Sequence, residues 1–349
     1  MKRDRSGYAV AFAAALLFGA SAPAAKLLLH DMDAQLLAGL LYLGAFLAVA
    51  PITRFGPSRH EARLRRADLP ALAGLVLAGG IVAPVLLMVG LERVTGVTGS
   101  LLLNLEGPLT LIVGVAIVGE YLGMKSWVGS TVIFGACALL TVRGSTGNAD
   151  VFGGVLIVAA CLGWAIDNNL TQRLSVRDPF QIVTVKTGVA ATVNITLAVL
   201  RGATLTTWDA VPSALVLGAL AYGISILFDA YALRLLGAAR EAAIFATAPF
   251  AGALLAVPLL GDTWGAVDVA AAGLMAVGVA MLITDRHEHT HTHEPMDHDH
   301  RHEHDEHHQH DHVPGVDPAA PHSHPHHHES LTHVHAHVSD THHRHEHSD

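Results

Sequence analysis

Histidine alternates with acidic residues near the end of this chain, where HEHDEHHQHDH occupies residues 302–312. Of the chain's 26 histidines, all but His30 and His60 lie in residues 287–349. Imidazole is the commonest side-chain ligand for Zn, Ni, Co and Cu. Alternate residues of an extended chain project to the same side, and the interspersed Asp and Glu offset the charge of a bound cation. The tail is therefore predicted to bind divalent transition metals.

The candidate ligands are the histidines of the densest clusters in the tail. They are His287, His289, His291, His293, His298, His300, His302, His304, His307, His308, His310, His312, His322, His324, His326, His327 and His328. Because the tail has almost no apolar residues, it cannot bury a core, and we expect it to be disordered without metal. Three uses stay open: loading or sensing metal for the rest of the chain, storing cytoplasmic metal, or none at all in a low-complexity expansion.

A second set of polar side chains lies inside long apolar runs. A charge at the centre of a bilayer costs at least ~2.5–3.5 kcal/mol on insertion scales, so such groups face the protein interior or water. The carboxyl groups among them suit a coupling proton or the cationic part of a substrate. The candidates for substrate binding or coupling are Glu106, Asp167, Asn168, Asn169, Asp229, Lys186 and Asn104.

Each of these residues also has a structural interpretation. Successive helical residues are turned by about 100°, so Asp167 and one neighbouring Asn are expected to face a cavity while the other Asn packs between helices. Lys186 would pair with Asp167 or Asp229 and hold helices together. Asn104 would form an interhelical hydrogen bond, a common packing device in membranes.

The composition of the first 286 residues explains why these polar groups are informative. The chain's mean hydropathy is +0.42 even with the polar tail included. Apolar runs of about 20 residues recur, and this length fits a helix crossing the ~30 Å hydrocarbon core. Strands are not expected, because the runs show no period-two alternation. Cys137 and Cys161 lie inside apolar runs and are expected to be small fillers.

These runs predict an all-α integral membrane protein with ten transmembrane helices. The predicted spans are residues 8–29, 34–53, 70–90, 97–118, 126–143, 152–172, 180–200, 211–233, 239–260 and 265–284. Basic residues concentrate in alternate loops, and the opposite loops carry only Arg93, Arg143 and Arg201. By the positive-inside rule both termini are cytoplasmic, in a multi-pass protein of a bacterial-type inner membrane.

The chain also repeats itself at an offset of about 141 residues. GSLLLNLEGPLTLIVGVAIVGE at 99–120 resembles REAAIFATAPFAGALLAVPLLGD at 240–262, with Pro108 matching Pro249. LLFGASAPAAK at 16–26 aligns loosely with AACLGWAIDNN at 159–169. Five spans in each half is an odd number, so the halves are predicted to be inverted repeats, as in secondary transporters. The predicted domains are residues 7–145, residues 150–286 and the tail 287–349.

These motifs resemble the drug/metabolite transporter superfamily in its ten-helix form with two EamA-type repeats. The matching features are FGASAPAAK in the first span, GEYLG after the fourth, and the weaker copies GWAIDNNLTQR and APFAGALLAVPLLGD in the second half. The resemblance implies ten helices around a central cavity that opens to one side at a time. It also implies a secondary transporter of small metabolites by alternating access. The consecutive Asp167, Asn168 and Asn169 depart from the family pattern.

Other functional classes receive less support from the sequence. No Ser-His-Asp arrangement, P-loop or Gly-rich phosphate fingerprint is visible, so we expect neither an enzyme nor ATP-driven pumping. The alternatives are a Zn, Ni or Co transporter on the same scaffold, and a membrane-anchored metal-binding or sensing protein without transport. The expected partners are the lipid bilayer, a small-molecule solute, transition metals at the tail and a second copy in a homodimer. No nucleic acid and no required cofactor are expected.

Overall fold

The computed structural model describes most of the chain outside the tail and four segments within it. The described residues are 2–55, 62–118, 122–143, 151–175, 177–285, 287–293, 296–302, 322–328 and 331–337. Within these residues, ten helices are long and apolar enough to cross a membrane. They are numbered here as spans 1 to 10 and run Ser6–Leu28, Ala34–Arg54, Arg66–Arg93, Gly96–Ile117, Met124–Val142, Val151–Arg173, Pro179–Leu200, Ala210–Leu233, Arg240–Leu260 and Ala266–Thr284. The predicted all-α membrane architecture is confirmed.

Five spans are continuous α-helices and five change geometry along their length. The continuous helices are Ala34–Phe55, Met124–Arg143, Val151–Arg173, Pro179–Leu200 and Ala266–Thr284. Span 1 consists of Lys2–Gly19 and Ser21–Leu28, and span 9 of Ala238–Phe245 and Ala248–Leu260. Span 4 joins Gly96–Leu102 to Glu106–Val118 through a 3₁₀ turn at Leu103–Leu105. Span 3 consists of the 3₁₀ turn Arg66–Asp68, the α-helix Leu69–Leu75, a π segment Val76–Val82 and the α-helix Ala83–Arg93. Span 8 consists of the α-helix Ala210–Gly218, a π segment Ala219–Ile224 and the α-helix Ser225–Leu236.

The interruptions recur at matching places in the two halves. The two π segments begin at Val76 and Ala219, so 143 positions separate them. The break in span 4 is centred on Asn104, and span 9 breaks after Phe245, again about 142 positions later. π segments arise where one residue more than an α-turn is accommodated, and they are frequent at functional sites. The repeat seen in the sequence is therefore also a repeat of backbone geometry.

The packing of the spans has the same pseudo-symmetry. Span 2 packs along span 7, span 5 along span 10, and span 4 against span 9. Span 3 packs against span 6, as span 1 packs against span 8. Exchanging each span for its repeat partner, 1 for 6, 2 for 7 and so on, leaves this set of pairs unchanged. The ten helices therefore form two facing five-span layers of order 5-4-6-3-7 and 10-9-1-8-2.

Glycines bring spans 2 and 8 into backbone contact. A methyl group on Gly44 would overlap the carbonyl oxygen of Leu215, and one on Gly218 would overlap the carbonyl oxygen of Leu41. Small residues at helix crossings let backbones approach closely, which is how membrane helices gain packing energy where lipid is as apolar as leucine. The contact between spans 2 and 8, which are neighbours at the edge of one layer, therefore depends on these two positions having no side chain.

At the predicted outer end, polar contacts hold the spans together. The Asp262 carboxylate at the end of span 9 accepts a hydrogen bond from the Val97 N–H at the start of span 4 (3.0 Å). The Lys26 ammonium near the end of span 1 donates to the Leu91 carbonyl in span 3 (2.5 Å). Every residue of span 4 from Gly96 to Leu105 is buried. Span 4 is thus enclosed by other spans at this end.

In the tail, the structure describes four short strands. They are β1 His287–His293, β2 Met296–His302, β3 His322–His328 and β4 Leu331–His337. β1 pairs antiparallel with β4, placing His289 opposite His335, and β2 pairs antiparallel with β3, placing His300 opposite His324. The expectation that the tail lacks a fixed fold without metal stays a prediction.

Gly218→Ala is expected to lower the stability of the folded bundle by about 1–3 kcal/mol, because the added methyl group forces spans 2 and 8 apart. Gly273→Ala is the matched control, since a methyl group on Gly273 meets nothing within 4 Å. In a helix that control change is neutral or stabilising by up to ~1 kcal/mol. Thermal unfolding of both variants in nanodiscs checks this, and equal melting temperatures would contradict the close crossing.

Candidate functional site

A buried ion pair joins spans 6 and 7. The Lys186 ammonium donates to a carboxylate oxygen of Asp167, and the Thr171 hydroxyl donates to the other oxygen (3.3 Å). The Asp167 side chain is 4% exposed and that of Lys186 is 19% exposed. Of the two carboxylates that the sequence offered to Lys186, the structure selects Asp167.

Span 3 lies between these two spans, and its glycines leave room for the pair. A methyl group on Gly79 would overlap the Asp167 carboxylate, and one on Gly80 would contact Ala190 and Lys186 of span 7. Both glycines belong to the π segment of span 3. The ion pair therefore reaches across span 3 only because this part of the helix presents bare backbone.

The same π segment offers its carbonyl groups to side chains. The Gly79 carbonyl accepts hydrogen bonds from the Tyr42 hydroxyl (2.7 Å) and from the Trp164 indole N–H (3.1 Å). The buried Asn194 amide donates to the Gly80 carbonyl (3.5 Å) and the Ile81 carbonyl (3.4 Å). Within lipid a backbone carbonyl without its helical partner needs such a donor. Side chains of spans 2, 6 and 7 thus hold the irregular stretch in place.

A second polar group lies between spans 4 and 6. The Asn168 amide donates to Glu106 Oε1 (2.9 Å) and to the Thr110 hydroxyl (3.3 Å), and that hydroxyl donates to the Glu106 carbonyl oxygen (2.8 Å). The buried Asn169 amide donates to the Thr110 carbonyl (3.0 Å). Asn168 is exposed and Asn169 packs between helices, as expected for consecutive helical residues, whereas Asp167, which was expected to face a cavity with one of them, is buried in its ion pair with Lys186.

The exposed surface of Asn168 faces the interior of the bundle. Cys161, Trp164 and Ala165 precede it by seven, four and three residues, so they share its helical face, and all three are buried. Phe152 and Val155, which lie about 160° and 140° around the helix from Asn168, are exposed on the lipid side. Asn168 is therefore exposed to a space enclosed by helices. Glu106, at the middle of span 4, is partly exposed beside it.

The remaining predicted site residues lie elsewhere. Asn104 is buried and donates to the Leu101 carbonyl (3.0 Å) and to Met275 Sδ of span 10 (3.7 Å), which is the interhelical packing contact foreseen as its alternative role. Asp229 of span 8 lies beside the Glu241 carboxyl of span 9. The structure therefore brings together Glu106, Asp167, Asn168, Asn169 and Lys186, and gives Asn104 and Asp229 other contacts.

Sequence reasoning missed the residues that support this group. Tyr42, Thr110 and Trp164 are ordinary members of apolar runs. The adjacent glycines in the middle of span 3 were the one visible signal, because paired glycines inside a span indicate close backbone approach.

The metal prediction concerns the tail alone. Among the residues searched within the described part of the chain, no group of three or more His, Cys, Asp or Glu could hold a metal ion. The tail side chains lie outside the described ones, and His304, His307, His308, His310 and His312 lie outside the described residues altogether. Metal binding by the tail therefore stays a prediction.

The membrane cluster is chemically a polar binding surface. Two carboxylates, one ammonium and two amides meet near the middle of an otherwise apolar bundle, and part of this surface is exposed to an internal space. Groups of this kind at membrane depth usually mark a substrate or ion path.

Comparison with known proteins gives three results. The model of the EamA-like transporter family matches residues 5–142 and 151–284. A protein of Methanothermobacter thermautotrophicus described as an uncharacterized transporter is 30% identical over 295 residues, covering 79% of this chain and 85% of its own. A chain of known crystal structure shares the fold with a TM-score of 0.57 at 18% identity, covering 79% of this chain and 95% of its own.

Asp167→Asn is expected to destabilise the bundle by about 3–5 kcal/mol, because the buried Lys186 ammonium loses its counter-charge. Asp167→Asn combined with Lys186→Met removes both charges and should recover most of that loss. Thermal unfolding of the two variants and the wild type measures the difference. A double variant no more stable than the single one would contradict a direct ion pair.

Proposed function

Because the chain belongs to the EamA-like transporter family, we propose that it is a secondary transporter that moves small solutes by alternating access between its two inverted halves. The observation that carries this proposal is the polar cluster of Glu106, Asn168, Asp167 and Lys186 inside the apolar spans 4, 6 and 7. A protein that only anchored a tail would gain nothing from placing these groups in an apolar bundle, where each costs free energy.

The asymmetry between the two ends supports alternating access. Span 4 begins at the predicted outer end and is buried on all sides from Gly96 to Leu105. Its repeat partner, span 9, begins at the predicted inner end, and Arg240, Ala242 and Thr247 there are exposed. Repeat partners have equivalent positions in the bundle, so unequal burial means that one end is packed and the other is open. We infer a state that is closed outside and open inside.

The contacts at the closed end suit a gate that opens reversibly. The Asp262 carboxylate and the Lys26 ammonium bond backbone groups at helix ends, Val97 N–H and Leu91 C=O respectively. Polar contacts of this kind exchange with water at little net cost, since a hydrogen bond to a charged group contributes about 1.5–3 kcal/mol. We expect both helices to bend at the matched breaks in spans 4 and 9.

We place the protein in a bacterial-type inner membrane with both termini in the cytoplasm, on the distribution of basic residues between loops. The tail then lies on the cytoplasmic side, where it would bind metal without being part of the membrane bundle. Its 24 histidines also motivate a second candidate, a transporter of Zn, Ni or Co, for which the tail would deliver or sense the metal.

Purified protein in liposomes is expected to carry out saturable exchange of one or more labelled solutes from a panel of amino acids, nucleosides, sugars and amines. Asp167→Asn and Glu106→Gln should each lower that rate at least about tenfold, the effect of one charge-assisted hydrogen bond. Glu92→Gln removes an exposed carboxylate near the predicted outer end and should leave the rate unchanged. If both cluster variants exchanged solute at the wild-type rate, the hypothesis that the cluster lies on the transport path would be wrong.

Removing residues 287–349 separates the two roles of the chain. The full-length protein is expected to bind several equivalents of Ni²⁺ in a calorimetric titration, whereas the shortened protein binds none, because the predicted ligands are gone. Solute exchange should be equal in both forms, since no membrane span includes the tail. Loss of Ni²⁺ or Zn²⁺ flux in liposomes on shortening would favour the metal-transporter candidate instead.

A further inference from the structure

We propose that the solute bound at this site carries a protonated amine, held by Glu106 and Asn168. This inference rests on the transport function proposed above and names the class of its substrate.

The charges of the cluster leave one carboxylate without a counter-ion. Lys186 is paired with Asp167, so these two charges cancel within the protein. Among the described residues, the Glu106 carboxyl accepts a side-chain hydrogen bond from the neutral Asn168 amide and forms no ion pair within 4 Å. When Glu106 is ionised, the cluster therefore has one net negative charge inside the apolar bundle, where an uncompensated charge is costly and a cationic solute would restore neutrality.

The hydrogen-bond inventory between spans 4 and 6 points the same way. Both N–H groups of the Asn168 amide are used, one by Glu106 Oε1 and one by the Thr110 hydroxyl. The Thr110 hydroxyl donates its own hydrogen bond to the Glu106 backbone carbonyl oxygen. Within the group of Glu106, Asn168 and Thr110, the side-chain atoms without a hydrogen bond described above are Glu106 Oε2 and Asn168 Oδ1, and an ionised carboxylate oxygen and an amide oxygen are both acceptors. A surface with spare acceptors and no spare donors suits a ligand that has several N–H groups.

The position of these acceptors makes them reachable. Glu106 is partly exposed, and the exposed surface of Asn168 points into the space enclosed by the helices. A primary ammonium has three donors, which is enough to supply both acceptors. A carboxylate or phosphate would meet a like charge and find no donor from Glu106, Asn168 or Thr110. The Glu106 group therefore discriminates by charge sign.

Binding is tested with four probes of equal chain length: hexylammonium, hexyltrimethylammonium, hexanoate and hexanol. Affinity for the protein in nanodiscs is measured from the concentration dependence of the melting temperature, because a ligand of the native state raises it by mass action. Hexylammonium is expected to bind wild type best. Hexyltrimethylammonium has the charge but no N–H, so it should bind more weakly, and hexanoate should not bind.

Glu106→Gln is expected to weaken hexylammonium binding at least about tenfold, while Glu92→Gln leaves it unchanged. Glu106→Asp keeps the charge and should retain part of the affinity, which separates lost recognition from misfolding. Equal hexylammonium affinity in wild type and Glu106→Gln, or hexanoate binding as well as hexylammonium, would overturn the proposal. If Glu106 bound only a coupling proton, wild type and Glu106→Gln would bind hexylammonium with equal affinity.

Transport is scored separately, so the two proposals fail in different ways. Liposome exchange of neutral or anionic solutes, with no Glu106-dependent amine binding, would refute the amine class and keep the transporter. Glu106-dependent amine binding in a protein that exchanges no solute would keep the site and refute the transporter.

Discussion

Backbone polar groups inside a bilayer must find partners within the protein, and this constraint explains the most irregular part of the structure. The π segment of span 3 departs from regular α-helical bonding, yet its carbonyl groups are not left bare. Tyr42 and Trp164 both donate to the Gly79 carbonyl, and Asn194 reaches the next two. Because these donors come from spans 2, 6 and 7, satisfying one irregular stretch fixes the relative placement of four helices.

The same stretch determines where charge can lie. With no side chain at Gly79, the Asp167 carboxylate fits against span 3 and meets Lys186 beyond it. A buried pair of this kind contributes little net stability, because desolvation offsets most of the attraction, but separating its members is costly. The pair therefore fixes the register of spans 6 and 7, and it leaves Glu106 as the unmatched charge of the site.

The two halves share a backbone plan while their polar side chains differ. In the repeat alignment, Asp167 and Asn168 correspond to Ala24 and Ala25, and Asn169 corresponds to Lys26. The matched helix breaks and π segments give both halves irregular helix geometry at equivalent places. The polar cluster is built from both halves, because Glu106 comes from the first half and Asp167, Asn168 and Lys186 come from the second.

The sequence by itself determined the number of spans, the repeat and the candidate polar residues, because apolar length and mid-membrane charge are local properties of the chain. The ten spans and the pairing of Lys186 with a carboxylate could both be predicted from these local properties. Only the tertiary structure decided that Asp167 is the partner, that Asn104 and Asp229 lie outside the cluster, and that Tyr42, Thr110 and Gly79 belong to it. Those outcomes depend on which helices become neighbours, and the order of helices in each layer arises from packing between distant segments. Small residues and carbonyl groups without helical partners determine that packing. Hydropathy does not, because it does not distinguish one apolar face from another.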